Sequence, residues 1–459
     1  MADRIEQIIA HLQAHMHPES VRLHAREAAK IFLLDSVGVA LAGGRVPQSG
    51  LLLTAAKSWG QATETNAASV WGSPQKLPAP AAAMVNAFHI HNQEFDCVHE
   101  RAVVHPMAVI LAALMAFAER KKNVTGEELL AALALAVDVA AVIGMSATRP
   151  ITFFRPAQCG ALGAAAGMCV LAGFNAAQMR DAFGITYSQL AGTMLAHIEG
   201  TPTLALQVGF AARAAVCAVD LAALGFRGPH EVLDGKHGYF QLYERDAAPD
   251  PAFAELGQVW QITQVSHKPY PTGRAAQGGI AGLQHLIQTH GFVAEDVAQV
   301  SLAAPPLIRQ LVDRPMLADG MSVSYARLCL PYLAAVTLVY GNVGLAAYSP
   351  ALLTDKKLFK IAGRIKLTAD DNHNPNALRP QQLTVVLNDG TTLTHAMPHI
   401  YGAPEAPMSD AAQEAKFIEC CRHALNPMTE EKIEQLKSAI MEINKTSNVA
   451  SIVELMYSP

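Results

Sequence analysis

A dense group of ionisable side chains interrupts an otherwise apolar sequence between residues 86 and 110. This stretch reads NAFHIHNQEFDCVHERAVVHPMAVI and has apolar segments on both sides. Its ionisable residues are His89, His91, Glu94, Asp96, His99, Glu100, Arg101 and His105. Imidazoles titrate near neutral pH, and neighbouring carboxylates orient them or exchange protons with them. The composition of this stretch therefore predicts a site for general acid–base chemistry.

A second polar segment, KPYPTGR, spans residues 268–274. Its prolines fix φ and stiffen the chain, so that the side chains of Lys268, Tyr270 and Arg274 would be held in place. Arginine offers a fork for a carboxylate, and lysine a compact positive charge. The segment predicts a small anionic substrate that carries carboxylates. The alternative is a rigid interdomain linker whose basic residues are solvated.

Composition limits the classes of partner. Of 459 residues, 51% are hydrophobic and 16% charged, which favours two or three domains and an oligomer. The net charge of −5 comes with no basic block, so we expect no nucleic-acid partner. The start of the chain shows no signal-peptide pattern. The longest apolar runs contain Asp138, Arg213 and Asp220, which favours core helices over membrane spans.

The seven cysteines form no CxxC pair and match no spacing of a zinc or iron–sulfur site. We therefore expect free thiols and a cytoplasmic location. His89, His91, His99 and His105 share no common helical face, so no metal site is predicted.

The chain pattern predicts mainly helical structure with an α+β insert. Helices are expected at 24–43, 106–120, 325–342, 410–424 and 429–441, and Thr125 begins a capping box. Strands are expected at 297–303, 359–370 and 382–387, the last followed by a hairpin turn at Asn388-Asp389-Gly390. We predict a helical domain at 1–264, a smaller α+β domain at 265–403, and C-terminal helices at 404–459 that rejoin the first domain.

Several segments together resemble the MmgE/PrpD family, which includes 2-methylcitrate dehydratase, cis-aconitate decarboxylase and iminodisuccinate epimerase. They follow the order of the family's motifs along nearly the whole chain. The segments are LLDSVGVALAG in 24–44, 86–106 with its terminal VHP, 155–173, GTPTLALQ at 200–207, KPYPTGR at 268–274, and ARLCLPY at 326–332.

The resemblance implies a large helical domain with a smaller α+β lid domain, a homodimer, and an enzyme that needs no metal or organic cofactor. It implies acid–base roles for His105 and Glu94, with Glu94 orienting His105 or acting as a partner acid. Lys268 and Arg274 would hold carboxylates, and Tyr332 would donate to a substrate oxygen or pass a proton. The remaining substrate-binding assignments are Arg155, Tyr270, Asp96 and His99. Hydrogen bonding at a helix end is the alternative for the last two, and it is favoured for Asp96 as a cap.

Several positions depart from the family pattern. Arg155 stands in place of a histidine, Leu204 of a lysine, and Gln207 and Gln277 of histidines. Cys97 and Val98 replace the polar residues that usually follow the acidic pair. These changes indicate either a new substrate or lost activity. We favour a new substrate, because Arg155 supplies a charge, while Val98, Leu204 and Phe154 would make the pocket more apolar.

The sequence leaves the reaction open. A 2-methylcitrate-dehydratase-like dehydration of a non-standard substrate is favoured, because it is the commonest reaction in the family. Decarboxylation of the cis-aconitate type and epimerisation of the iminodisuccinate type are alternatives. All three require proton transfer at a carbon next to a carboxylate. A carboxylate-binding protein without catalytic activity is the alternative from another class.

Overall fold

The computed structural model describes residues 3–457 of the chain. The helices are α1 (Arg4–Ala14), α2 (Leu23–Gly43), α3 (Pro47–Ser58), α4 (Ala79–His91), α5 (Pro106–Lys121), α6 (Gly126–Met145), α7 (Arg155–Ala172), α8 (Ala176–Tyr187), α9 (Leu195–Glu199), α10 (Thr203–Ala223), α11 (Tyr239–Leu242), α12 (Pro249–Phe253), α13 (Arg274–His290), α14 (Pro306–Val312), α15 (Val323–Ala326), α16 (Leu330–Tyr340), α17 (Pro350–Leu353), α18 (Lys356–Ala362), α19 (Asp410–Arg422), α20 (Glu430–Met441) and α21 (Ala450–Leu455).

The strands are short, except for those of one sheet. They are β1 (Ala67–Ser69), β2 (Lys76–Pro78), β3 (Val98–His99), β4 (Val265–Ser266), β5 (Val297–Ala304), β6 (Ile365–Ala369), β7 (Gln381–Leu387) and β8 (Thr392–Met397). Helices thus dominate, and a small mixed sheet lies in the C-terminal half, as the sequence predicted.

The chain divides into two compact units. The first, which we call the helical unit, comprises Met1–Thr193, Ala205–Val265 and Ser409–Pro459. The second, the α+β unit, comprises Met194–Leu204 and Ser266–Met408. The C-terminal helices α19–α21 fall in the helical unit, while the segment 194–204 falls in the α+β unit.

The core of the helical unit is built from α2, α4, α5, α6 and α7, which pack on one another. In α5, every residue from Pro106 to Ala118 is buried. Helices α6 and α7 approach closely at Gly163, where an added Cβ would lie 2.5 Å from the carbonyl oxygen of Ala136. The small residues of α7 therefore serve helix packing, which allows two largely apolar helices to bury each other. The predicted capping box at Thr125 is present, with Glu128 as its partner.

Among residues 3–457, two helices are long and apolar enough to cross a membrane, judged by length and composition alone. One is α6, of whose most apolar stretch 89% is buried, and the other is α10, where the figure is 61%. The burial of α6 is that of a core helix. Helix α10 leaves part of its apolar side uncovered.

The α+β unit contains the four-stranded sheet in the order β6-β5-β7-β8. Strand β5 is parallel to β6 and antiparallel to β7, and β7 is antiparallel to β8. The predicted hairpin therefore forms, with Thr384 opposite Thr394. Helix α13 packs on β7 and β8 and also on α16.

Two predicted elements are wrong in detail. The expected strand at 359–370 is instead helix α18 followed by β6, because Asp355 caps the helix and Leu358 and Ile361 are buried at helical spacing. The single helix expected at 325–342 is divided into α15 and α16, since Pro331 occupies the first turn of α16.

Candidate active site

The polar stretch of the sequence forms the connection between α4 and α5 in the helical unit. Helix α4 ends at His91, and the following turn gives Glu94 a left-handed backbone conformation with a φ of 51°. Residues His99 and Val104 then pair across a tight loop. His105 is the N-cap residue of α5, with Pro106 in its first turn. The ends of two buried helices therefore fix both histidines, His91 and His105.

Asp96 joins these two histidines. Its Oδ2 accepts a hydrogen bond from Nδ1 of His91 at 2.9 Å and lies 3.3 Å from Nδ1 of His105. The two imidazole rings meet edge to face, with their centroids 4.9 Å apart. Oε1 of Glu94 lies 3.6 Å from Nε2 of His91. We call His91, Glu94, Asp96 and His105 the acid–base cluster.

Burial differs within the acid–base cluster. The side chain of His105 is 15% exposed, whereas those of Asp96 and His91 are 0% and 1% exposed. A buried carboxylate beside Nδ1 orients an imidazole and stabilises its protonated form, which leaves Nε2 to exchange protons. The more exposed His105 is therefore the member best placed to meet a substrate.

The favoured interpretation of Asp96 as a helix cap is wrong. The N-cap residue of α5 is His105, and the C-cap residue of α4 is Asn92. The turn directs the carboxylate of Asp96 at the two imidazoles instead. No role was predicted for His91, although it stands in the same ionisable stretch as His105.

The acid–base cluster also has the composition of a metal site. His91, Asp96 and His105 offer ligand atoms that lie within 4.8 Å of one another. Imidazole nitrogens and a carboxylate oxygen are common ligands of zinc and iron(II). The expectation of a metal-free enzyme stays a prediction.

His99 points into a different network. Its Nε2 lies 3.0 Å from Oε1 of Gln261, and its Nδ1 accepts a hydrogen bond from the amide of Ala102. Burial lowers the pKa of His99 to about 4, so the ring is neutral at neutral pH. The backbone amide of Gln261 in turn donates a hydrogen bond to Oδ1 of Asp138 on α6 at 2.7 Å. The network fixes the loop that leads to His105, and no local sequence pattern points to Gln261.

Arg155, on the first turn of α7, is fully buried and forms an ion pair with Glu244. Its guanidinium also donates to the carbonyl oxygen of Arg149 at 2.9 Å. The positive charge is thus compensated inside the helical unit. The neighbouring Phe154 packs against His91 with ring centroids 5.8 Å apart, and it gives the acid–base cluster an apolar neighbour.

The remaining predicted residues lie in the α+β unit. Lys268 is fully buried, in the loop before α13. Arg274 begins α13 and donates to the carbonyl oxygens of His267, Ile400 and Tyr401 at 2.8–3.1 Å. The guanidinium therefore holds two backbone segments together.

The two predicted tyrosines also have protein partners. The hydroxyl of Tyr270 donates to Gln284, and that of Tyr332 donates to the carbonyl oxygen of Ala347. Burial raises the pKa of both hydroxyls, so each remains a donor at neutral pH. Spacing along a sequence cannot distinguish a tyrosine that serves a substrate from one that bonds to the backbone.

Two of the altered family positions have structural roles. The side chain of Gln277 donates to the carbonyl oxygens of Tyr270 and Thr272 and accepts from the amide of Tyr270. Gln207 accepts a hydrogen bond from the amide of Thr193 at 2.7 Å. A neutral side-chain amide can donate and accept hydrogen bonds at once, so Gln277 stabilises the conformation of the KPYPTGR loop.

Two models of one protein family match most of this chain. The MmgE/PrpD N-terminal domain matches residues 7–252, and the MmgE/PrpD C-terminal domain matches residues 270–442. The chain belongs to the MmgE/PrpD family, as its motifs predicted.

Relatives of this chain are named cis-aconitate decarboxylase. The human protein is 25% identical over 449 residues, which is 94% of this chain and 90% of the human one. The mouse protein is also 25% identical, over 94% of this chain and 89% of its own. A protein of Aspergillus terreus is 25% identical over 98% of this chain and 95% of its own.

Proposed function

We propose that this protein is a lyase that acts on a small di- or tricarboxylate and that decarboxylation is its reaction. The observation that carries the proposal is the Asp96–His105 pair at the N-terminus of α5. The positive end of a helix favours an anion, so a substrate carboxylate is stabilised where the imidazole meets it. The relatives named cis-aconitate decarboxylase support this choice of reaction.

Decarboxylation requires one proton donor. The bond between carbon and carboxylate breaks, carbon dioxide leaves, and the electron pair stays on the substrate carbon framework. Protonated His105 then delivers its proton to that carbanion and regains one from water. Asp96 stabilises the imidazolium of His105 until the proton is transferred. Epimerisation needs a base on each face of the carbon. In the acid–base cluster, the second imidazole, that of His91, is almost fully buried. We therefore favour decarboxylation over epimerisation.

The substrate is expected to differ from those of typical family members. Arg155 is neutralised by Glu244, so we leave it out of the proposed substrate-binding set. Lys268 remains proposed as a carboxylate-binding residue, with Arg274, Tyr270 and Tyr332 as further candidates. Val98, two residues after Asp96, is buried, and the ring of Phe154 packs against His91. These two apolar side chains favour a substrate with fewer carboxylates or with an apolar substituent.

The test is a panel of di- and tricarboxylates, including cis-aconitate and 2-methylcitrate, incubated with the enzyme in deuterated water. We expect carbon dioxide release with one deuterium incorporated per turnover. His105→Gln should lower kcat/KM by about 100- to 10,000-fold. His89→Gln is the matched control, because His89 is also buried on this stretch, and burial lowers its pKa to about 4.

The alternatives give different results in the same assay. A new C=C absorbance without carbon dioxide indicates dehydration, and binding without deuterium exchange indicates a non-catalytic carboxylate-binding protein. Wild-type turnover by His105→Gln would contradict the proposed role. Treatment with a chelator should leave turnover unchanged. One equivalent of bound metal together with chelator-sensitive activity would assign His91, Asp96 and His105 as ligands instead.

We also propose a cytoplasmic homodimer. All seven cysteines are free thiols, which suits a reducing compartment. The apolar side of α10 supports the dimer, because Phe210 and Leu221 on this helix and Leu224 just beyond it are exposed. A surface of this kind is commonly covered by a partner subunit.

A further inference from the structure

A buried lysine from the C-terminal part of the chain contacts the turn that carries the acid–base cluster. Lys416 lies on α19 and is 5% exposed. Its Nζ donates to the carbonyl oxygen of Phe95 at 2.8 Å and lies 4.1 Å from the centroid of the Phe95 ring. Phe95 is the residue between Glu94 and Asp96. A single ammonium group therefore binds both the backbone and the ring at the centre of this turn.

The ammonium group has an acidic partner on a third element. Oδ1 of Asp35, on α2, lies 2.6 Å from Nζ of Lys416, and both side chains are 5% exposed. The pair is neutral as a whole. The carbonyl oxygen of Phe95 satisfies a further donor of the ammonium group, which a buried lysine requires. Asp35, Lys416 and Phe95 thus connect α2, α19 and the turn in one contact.

The position of Lys416 is fixed by close helix packing. Gly38 on α2 faces Phe417, where an added Cβ would lie 2.9 Å from the Phe417 ring. Asp35 and Gly38 are about one helical turn apart on α2, and their neighbours on α19, Lys416 and Phe417, are consecutive residues. The packing of α2 on α19 therefore determines where the ammonium group of Lys416 lies relative to the turn.

The turn itself has an unusual backbone conformation. Glu94 has a φ of 51°, a conformation that is uncommon for residues other than glycine. Asp96 must then place one oxygen within reach of Nδ1 of both His91 and His105. A buried ion pair is not in general more stabilising than apolar residues of the same size, so its presence beside this turn calls for a positional explanation.

We propose that Lys416 is a positioning residue of the active site. By holding the carbonyl of Phe95, it keeps the carboxylate of Asp96 on Nδ1 of both histidines and leaves Nε2 of His105 for the substrate. This inference rests on the proposed function for its catalytic consequence, but the positioning of Asp96 is measurable without turnover. Lys416 does not touch the substrate in this account.

The experiment compares two variants. Asp35→Asn/Lys416→Met removes both charges at once, so it leaves no unpaired buried ion and keeps the net charge of the pair. Lys416→Arg preserves the charge and can still donate to the Phe95 carbonyl. Thermal unfolding of each variant establishes that measurements are made on folded protein.

The first readout is the tautomer of the histidines. ¹⁵N shifts of the imidazoles, assigned with His91→Gln and His105→Gln, report whether Nδ1 carries the proton. In the wild type and in Lys416→Arg, we expect His91 to show the Nδ1–H form, held by Asp96. In Asp35→Asn/Lys416→Met, the signals of His91 and His105 should move towards the Nε2–H form.

The second readout is kinetic. We expect the double variant to lose about 10- to 100-fold in kcat with little change in KM, and Lys416→Arg to stay within about threefold of the wild type. A folded double variant with wild-type imidazole shifts and kcat overturns the proposal, since Lys416 would then be only structural. If the double variant has altered imidazole shifts and the wild type turns over none of the carboxylates, the positioning role is supported and the proposed function is rejected.

Discussion

His105 combines access to solvent with a buried carboxylate, and this combination defines its chemistry. The carboxylate comes from Asp96, which the sequence ranked below Glu94 as a partner for catalysis. Both acids lie in one turn, and the backbone conformation of Glu94 determines where each side chain points. Glu94 approaches Nε2 of His91. Asp96, and not Glu94, lies next to His105. The choice between these two neighbouring acids therefore changes which imidazole is prepared to transfer a proton.

Glu119 near the end of α5 gives a residue-scale prediction about pH. Its Oε2 accepts hydrogen bonds from the amide and hydroxyl of Ser69, and burial raises its pKa to about 7. In the unfolded chain, the same carboxyl ionises near pH 4.5. The unfolded state therefore loses its proton first, and stability falls as the pH rises from about 4.5 to about 7.

Glu119→Gln keeps an acceptor for Ser69 but cannot ionise. At pH 8, we expect the free energy of unfolding of this variant to exceed that of the wild type by about 1–3 kcal/mol. Near pH 4.5, the two proteins should be equally stable. Denaturant melts at the two pH values measure the difference. Glu19→Gln at an exposed position is the control and should change neither melt. An equal effect of Glu119→Gln at both pH values would contradict the assignment.

At the scale of elements, the site depends on helices whose close packing permits no extra volume. Helices α6 and α7 bury each other through small residues, and α5 packs on both. Because α5 begins directly after His105, a shift of this helix moves the imidazole of His105. The loop before α5 is further tied to α6 through His99, Gln261 and Asp138. The packing of these helices thus determines where His105 lies relative to the rest of the acid–base cluster.

Gly163 on α7 tests this packing. An added methyl group would lie 2.5 Å from the carbonyl oxygen of Ala136 and 2.9 Å from Cβ of Ala140, so the helices must separate. Gly163→Ala should destabilise the protein by about 1–3 kcal/mol, measured as a lower melting temperature. Gly50→Ala on α3 is the matched control, because its Cβ would meet nothing within 4 Å. The control should instead stabilise by about 0.5–1 kcal/mol, through the higher helix propensity of alanine.

At the scale of the whole molecule, the residues named in the proposals are divided between the two units. The helical unit holds the acid–base cluster, and its last segment, Ser409–Pro459, returns to supply Lys416. The α+β unit holds Lys268, in the loop to which Gln277 is hydrogen-bonded, and Arg274, at the start of α13. The helical unit also presents the uncovered apolar side of α10.

The apolar side of α10 predicts the oligomeric state. Light scattering on the eluted protein should give a mass of twice 48.8 kDa for the wild type. Leu221→Glu/Leu224→Glu places two charges on this side and should give the monomer mass. Val293→Glu is the control, since Val293 is also exposed but lies in the α+β unit. A dimer that survives the double substitution would place the interface elsewhere.

The sequence by itself determined the helical class, the MmgE/PrpD family and the stretch that forms the site. Helical spacing, the capping box at Thr125 and the hairpin turn at Asn388-Asp389-Gly390 are local signals, so they are readable without tertiary contacts. The same holds for the position of His105 directly before a helix.

Only the tertiary structure decided which partners the polar residues have. Arg155 meets Glu244, 89 positions away, and Lys416 meets Phe95, 321 positions away. No local pattern encodes these pairs, because packing brings the elements together and burial then forces each charge to find a partner. The direction of Asp96 is likewise not encoded locally, because it depends on a turn in which Glu94 has a left-handed backbone conformation.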